Sequence, residues 1–341
     1  MKSARLITAG IAALVLTAAG LAAQGADAPK AAPKAAAAKA ATKATAAAPK
    51  AATKPLPKFT DHYANDDGVK IHYVSAGAAN KPLVIMIHGY PDFWYTWRNL
   101  MAEMAPQYRV VAMDTRGYNL SDKPEGVANY TQDHLVADVA AVIAAEGRKS
   151  AIIIGHDWGA SIAWNVALSK PALVDRLVIL SVPHPTNMQM ELRDDPAQQA
   201  SSGYARRFQQ AGSENSMTAE GLAGWVKDPE AKPKYVEAFK RSSFASMMNY
   251  YRANYPSGTG TAVTVPDLPK INVPILVLSG EKDTALLPQG HNTTWMRGAK
   301  DVTVMWLPDA SHWIEQDAGP LANTTIHDWL NARPVDAASQ K

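Results

Sequence analysis

The stretch Ala151-Ile152-Ile153-Ile154-Gly155-His156-Asp157-Trp158-Gly159-Ala160 constrains the fold more than any other part of the chain. Its apolar run has the character of a strand covered on both faces, and Ala160–Ser169 continues with a helical pattern. Two glycines, each two residues from Asp157, leave room for a sharp turn between them. Similar apolar strands are expected at Leu83–Ile87, Val110–Met113, Leu177–Leu180, Ile275–Leu278 and Val302–Trp306. Helical stretches such as Thr131–Glu146 alternate with them, and this alternation predicts an α/β fold with a mostly parallel, doubly wound sheet. An opening hairpin is expected where Phe59–Ala64 and Val69–Ser75 flank Asp66-Asp67-Gly68. The alternation breaks across residues 182–274, which contain no good buried strand. They carry helix starts instead: Ser216 before Thr218–Val226, Pro233 opening Lys234–Arg241, and Ser242 or Ser243 before Phe244–Tyr255. A helical lid over about residues 184–266 is the expected reading.

Chemistry enters with Asp157. A strand–turn–helix with glycines at these positions is a nucleophile elbow, here with Asp in place of Ser. The turn lifts the side chain to a helix N-terminus, whose dipole favours a carboxylate. An elbow of this kind needs an acid and then a His later in the chain. Asp283 follows the strand Ile275–Leu278, and His312 follows the strand Val302–Trp306. Glu281 and Asp309 are the competing carboxylates, and the other eight histidines read as surface or packing residues. His88-Gly89-Tyr90-Pro91 follows the strand Leu83–Ile87, so the backbone amides of Tyr90 and Trp158 are candidates for a paired oxyanion site. All these groups lie beyond the carboxyl ends of strands, where open α/β sheets build their sites.

From about residue 60 to residue 333 the sequence resembles the α/β-hydrolase superfamily and, within it, the epoxide hydrolases of secreted bacterial type. The resemblance rests on His88-Gly89-Tyr90-Pro91 through Trp94-Tyr95-x-Trp97-Arg98, on Met113-Asp114-x-Arg116-Gly117-Tyr118, and on Gly155-His156-Asp157-Trp158-Gly159. It implies a cis Tyr90–Pro91 bond, a catalytic set of Asp157, Asp283 and His312, and no cofactor or metal. It also implies two lid tyrosines that protonate the leaving oxygen, matched by Tyr204 and Tyr251, with Tyr250 and Tyr255 as the nearest alternatives. The substrate would be a small apolar epoxide, with Trp94 and Trp158 as substrate-binding residues.

A carboxylate nucleophile itself points away from ester cleavage. It suits displacement at an sp³ carbon bearing an oxygen or a halide, followed by hydrolysis of the alkyl ester. A hydrolytic haloalkane or haloacid dehalogenase is therefore the alternative enzyme. Haloalkane dehalogenases commonly carry Asn where this chain has Tyr90, and haloacetate dehalogenases carry arginines where it has Trp158 and Ser161.

Charge separates the leader from the rest. Residues 1–58 hold nine basic residues and one acid, Asp27, leaving 25 basic against 30 acidic residues beyond them. The mildly acidic remainder argues against nucleic acid as a partner. The absence of cysteine excludes disulfides, thiolate catalysis and iron–sulfur clusters. Lys2 and Arg5 before the apolar run from Leu6 to about Ala23 fit a signal peptide over residues 1–26, hence a periplasmic or secreted protein. Residues 27–58, almost wholly Ala, Lys, Pro and Thr, read as a disordered linker able to contact an anionic cell envelope. On that basis a non-catalytic envelope-binding protein is the third alternative. The expected hydrolase domain spans residues 59–333, with a C-terminal tail over residues 334–341.

Overall fold

The computed structural model describes residues 55–298 and 300–341. The expected signal peptide lies outside the described residues, as does the linker up to residue 54. Eight strands form one sheet in the order β1-β2-β4-β3-β5-β6-β7-β8. They are β1 (Thr60–Asp66), β2 (Val69–Ala76), β3 (Leu83–Ile87), β4 (Arg109–Met113), β5 (Ala151–His156), β6 (Val174–Leu180), β7 (Ile275–Gly280) and β8 (Val302–Leu307). The pair β1–β2 is antiparallel, and β2 runs antiparallel to β4, whereas β3 to β8 pair in parallel. The opening hairpin turns at Asp67 (φ 45°) and Gly68 (φ 89°), the positive pair that a tight hairpin turn requires.

Helices α1 (Arg98–Met104), α2 (Gln132–Ala145) and α3 (Trp158–Ser169) link the first strands. Strand residues alternate between two apolar layers. Leu83, Ile85, Ile87 and Ile153 face the layer that includes α2, α3 and the lid, whereas Val84, Met86, Ile152 and Ile154 face the layer that includes α1 and the last helix. The chain steps from β3 out to β4, then returns to place β5 on the other side of β3. This reversal opens a crevice at the carboxyl ends of β3 and β5.

The insertion between β6 and β7 is helical, as expected. It contains α4 (Pro185–Asp194), α5 (Pro196–Ser201), α6 (Gly203–Phe208), α7 (Ala219–Leu222), α8 (Lys232–Arg241) and α9 (Phe244–Asn254). Thr218, not Ser216, caps α7, and Ser243 caps α9. Two helices, α10 (Ile314–Asp317) and α11 (Gly319–Asn331), follow β8. The C-terminal tail is docked rather than loose. The Gln340 side chain accepts from the Leu83 amide at 2.6 Å and donates to the Asp175 carboxylate at 2.8 Å, while its backbone carbonyl accepts from the Lys149 amide.

Candidate active site

Asp157 sits between β5 and α3 at φ 50°, ψ −123°, a conformation disfavoured for a residue with a side chain. The surrounding packing explains how it is held there. A Cβ on Gly159 would meet the Ile87 carbonyl oxygen at 2.0 Å, and a Cβ on Gly89 would meet the Asp157 Cβ at 2.3 Å. Only glycine at both positions lets the end of β3 close against the turn after β5. This approach brings the Tyr90 amide within 2.7 Å of Asp157 Oδ1, to which it donates. The Trp158 amide, the second expected oxyanion donor, makes no hydrogen bond to this carboxylate among the described residues. The Tyr90–Pro91 peptide is cis.

His312 lies in the loop after β8, with Nε2 3.4 Å from Asp157 Oδ2 and Nδ1 2.8 Å from Asp283 Oδ2. Asp283 is fixed in turn, because its Oδ1 accepts from the amides of Ala285 and Leu286. The competing carboxylates are elsewhere: Asp309 pairs with Lys282 at the surface, and Glu281 is exposed. Burial alone would raise the Asp157 pKa, but the hydrogen bond and positive charge of His312, with help from the Tyr90 amide, hold it below the ordinary carboxylate value. Burial disfavours the His312 cation, yet the charges of Asp283 and Asp157 outweigh it and raise its pKa well above that of a free imidazole.

The lid supplies the opposite wall. Asp157, Trp158, Tyr204 and Tyr251 line one cavity of about 230 Å³. The Tyr251 ring stands edge-on to Trp158 at 5.1 Å and to Tyr204 at 6.2 Å. Burial, then neighbouring negative charge, pushes both phenols well above their ordinary pKa, so both stay protonated. Helix geometry separates Tyr250 from Tyr251, since successive side chains diverge by about 100°. The Tyr250 hydroxyl donates to the Arg116 carbonyl at 2.8 Å, clipping α9 to the loop after β4, and Tyr251 is left to face the cavity. Tyr255 also lines the cavity, and its hydroxyl has no partner among the described residues.

Trp94 is not part of this wall. Its ring packs edge-on against Phe59 at 5.2 Å, and its amide donates to Asp114. The lid residues Trp225, Met247 and Met248, plausible cavity residues by composition, serve packing instead. Trp225 stacks on Trp313 at 3.9 Å, and both methionines are fully buried in the core.

Three groups beneath His312 escaped the sequence reading. His156, which read as a surface or packing residue, is fully buried, and its Nε2 lies 2.8 Å from the His312 carbonyl oxygen. Its Nδ1 is 3.3 Å from Glu315, but the two do not form an ion pair. Burial lowers His156 to about 4 and raises Glu315 to about 8, so both are neutral between those values. Asp92 is buried too, and burial drives its pKa well above the usual range. The available signals were modest: Asp92 lies two residues after Tyr90, and Glu315 lies three after His312.

Residues 82–318 match the family model described as alpha/beta hydrolase fold. Epoxide hydrolase 1 of Caenorhabditis elegans is 33% identical over 289 residues, covering 77% of this chain and 68% of that protein. Epoxide hydrolase 4 of Homo sapiens is 31% identical, covering 78% of this chain and 76% of that protein. Among solved structures, a Bacillus megaterium epoxide hydrolase in complex with an inhibitor superimposes with a TM-score of 0.73 at 31% identity. That match covers 79% of this chain and all of the other.

Proposed function

Because the chain belongs to the alpha/beta hydrolase fold family and is a hydrolase with epoxide hydrolase relatives, we propose that it converts an epoxide to a vicinal diol through an ester on Asp157. The observation that carries this reading is the nucleophile position itself. An ionised carboxylate stands there, facing two neutral phenols across one cavity.

In the first step an Asp157 oxygen attacks an epoxide carbon and the ring C–O bond breaks. The released oxygen takes a proton from Tyr251 or Tyr204, leaving a tyrosinate and a hydroxyalkyl ester. Esterification removes the negative charge 3.4 Å from His312, one of the influences that raise its pKa. The imidazolium therefore releases its proton to solvent more readily at the stage where it must act as a base, and takes one back when the carboxylate is restored. His312, oriented by Asp283, takes a proton from water as that water adds to the Asp157 carbonyl carbon. The Tyr90 amide, already on Oδ1, meets the developing oxyanion, and the Trp158 amide is the second proposed donor. Collapse expels the diol, which takes the proton held by His312. The regenerated Asp157 carboxylic acid then reprotonates the tyrosinate, so the balance is epoxide plus water to diol.

Replacing Asp157 by Asn removes the nucleophile and keeps the shape. Diol formation by this variant is expected to fall by at least about 10³-fold, assayed on folded protein with deamidation excluded by mass. Retention of wild-type turnover would contradict the proposed role.

A further inference from the structure

Part of the cavity wall, which shares α9 with Tyr251, has a one-sided hydrogen-bonding character. Its residues Gln132, Ser161, Asn165 and Asn254 are polar and uncharged, Gln189 lines the same cavity, and among the described residues Asp157 is the sole charged one in the lining. The donors of this wall are largely committed to the protein. Asn254 Nδ2 donates both its protons, to the Tyr130 carbonyl at 2.7 Å and the Tyr250 carbonyl at 3.0 Å, which fixes the orientation of that amide. Asn165 Nδ2 donates to the Ser161 carbonyl at 2.8 Å, and Gln132 Nε2 to Ser161 Oγ at 3.0 Å. The acceptors are the uncommitted groups. Gln132 Oε1 is buried and without a partner among the described residues, and Asn165 and Asn254 use their amide nitrogens for the bonds above. A buried acceptor left unpaired is costly, so such a wall discriminates by what a ligand can donate to it.

We propose that this wall is a subsite for a hydrogen-bond donor, and that the preferred epoxide is an uncharged molecule carrying a hydroxyl or amide N–H at a distance from the ring. The inference rests on the epoxide reading of Asp157 and narrows its substrate class. A carboxylate-bearing substrate is disfavoured, since Asp157 would repel it and, among the described residues, no Lys or Arg lines the cavity. A purely hydrocarbon tail would offer the buried Gln132 oxygen no hydrogen bond.

The test uses terminal epoxides of increasing chain length that end in a hydroxyl, each compared with its own methyl ether. At one chain length the wild-type protein is expected to show kcat/KM about tenfold higher for the hydroxyl than for the ether. That ratio should fall towards one in the double variant Gln132→Leu/Asn165→Leu. Asn254 is left in place because its amide holds two backbone carbonyls. Each ratio is taken within one preparation, so partial misfolding cancels. A ratio near one at every length, or one unchanged in the double variant, would overturn the subsite while leaving the epoxide reading intact. Stronger turnover of the corresponding amine-ended epoxide would overturn the preference for a neutral donor. If the wild-type protein opens no epoxide in either series, the reading of Asp157 fails and the subsite falls with it.

Discussion

His312 rests on a group whose ionisation opposes folding. Glu315 titrates at about 8 in the folded protein, against an ordinary value of 4.5. A carboxyl with a raised folded pKa contributes stability that is fully present below its unfolded pKa and is lost as pH rises through the folded value. Wild-type stability is therefore eroded between about pH 4.5 and pH 8, and a neutral side chain at this position escapes that loss. Glu315→Gln is expected to melt close to wild type at about pH 4 and several degrees higher at about pH 9, in thermal unfolding followed across pH. An equal shift at both ends of the range would mean that Glu315 acts through packing rather than charge. His156 works in the opposite sense. Its folded pKa of about 4 lies below the ordinary 6.5, so its contribution is lost as pH falls through that window. Neither group was legible by residue type, because burial decides their charge and the sequence shows burial only through neighbours that meet in space.

At the scale of elements, α9 performs two tasks with adjacent residues. Tyr250 anchors it to the Arg116 carbonyl, and Tyr251 faces Asp157 across the cavity. The two phenylalanine variants should separate these tasks. Tyr251→Phe is expected to slow ring opening by about 10²-fold or more with little loss of stability, as read by single-turnover alkylation and by melting. Tyr250→Phe should cost about 1 kcal/mol of stability and leave the alkylation rate within a few-fold of wild type. The reverse pattern would show the assignments to be exchanged. The strands were legible because parallel-sheet strands are continuous apolar runs, and observed ends extend the expected ones by up to three residues. β8 is the instructive departure. It lies at the sheet edge with Met305 and Trp306 partly exposed, an arrangement that its apolar sequence does not distinguish from a central strand. In the lid, α4, α5 and α6 had no expected counterparts. They are short and polar, and α4 begins from His184, an uncommon cap. Asp195-Pro196 at the start of α5 did carry a readable cap-and-proline signal.

For the molecule as a whole, chain order was enough to bring Asp157, Asp283 and His312 into one constellation, because each follows a strand of one parallel sheet. Residues far from strand ends had no such rule. Trp94 was expected at the substrate and instead packs on Phe59, and Gln340 was read as part of a tail although it closes the opposite end of the sheet. Gln340 is completely buried and bonds to segments that start β3, precede β5 and begin β6. Gln340→Ala is expected to cost about 1–3 kcal/mol in denaturant unfolding while sparing the ester-forming step. Wild-type stability in that variant would mean that the docked tail contributes little. If Asp157 becomes an ester which His312 resolves, the intact mass of a His312→Gln variant exposed to an epoxide should record it. A stable gain equal to the whole epoxide is expected, located on Asp157 by peptide mapping. Rapid diol formation with no adduct, or an adduct on a residue other than Asp157, would contradict it.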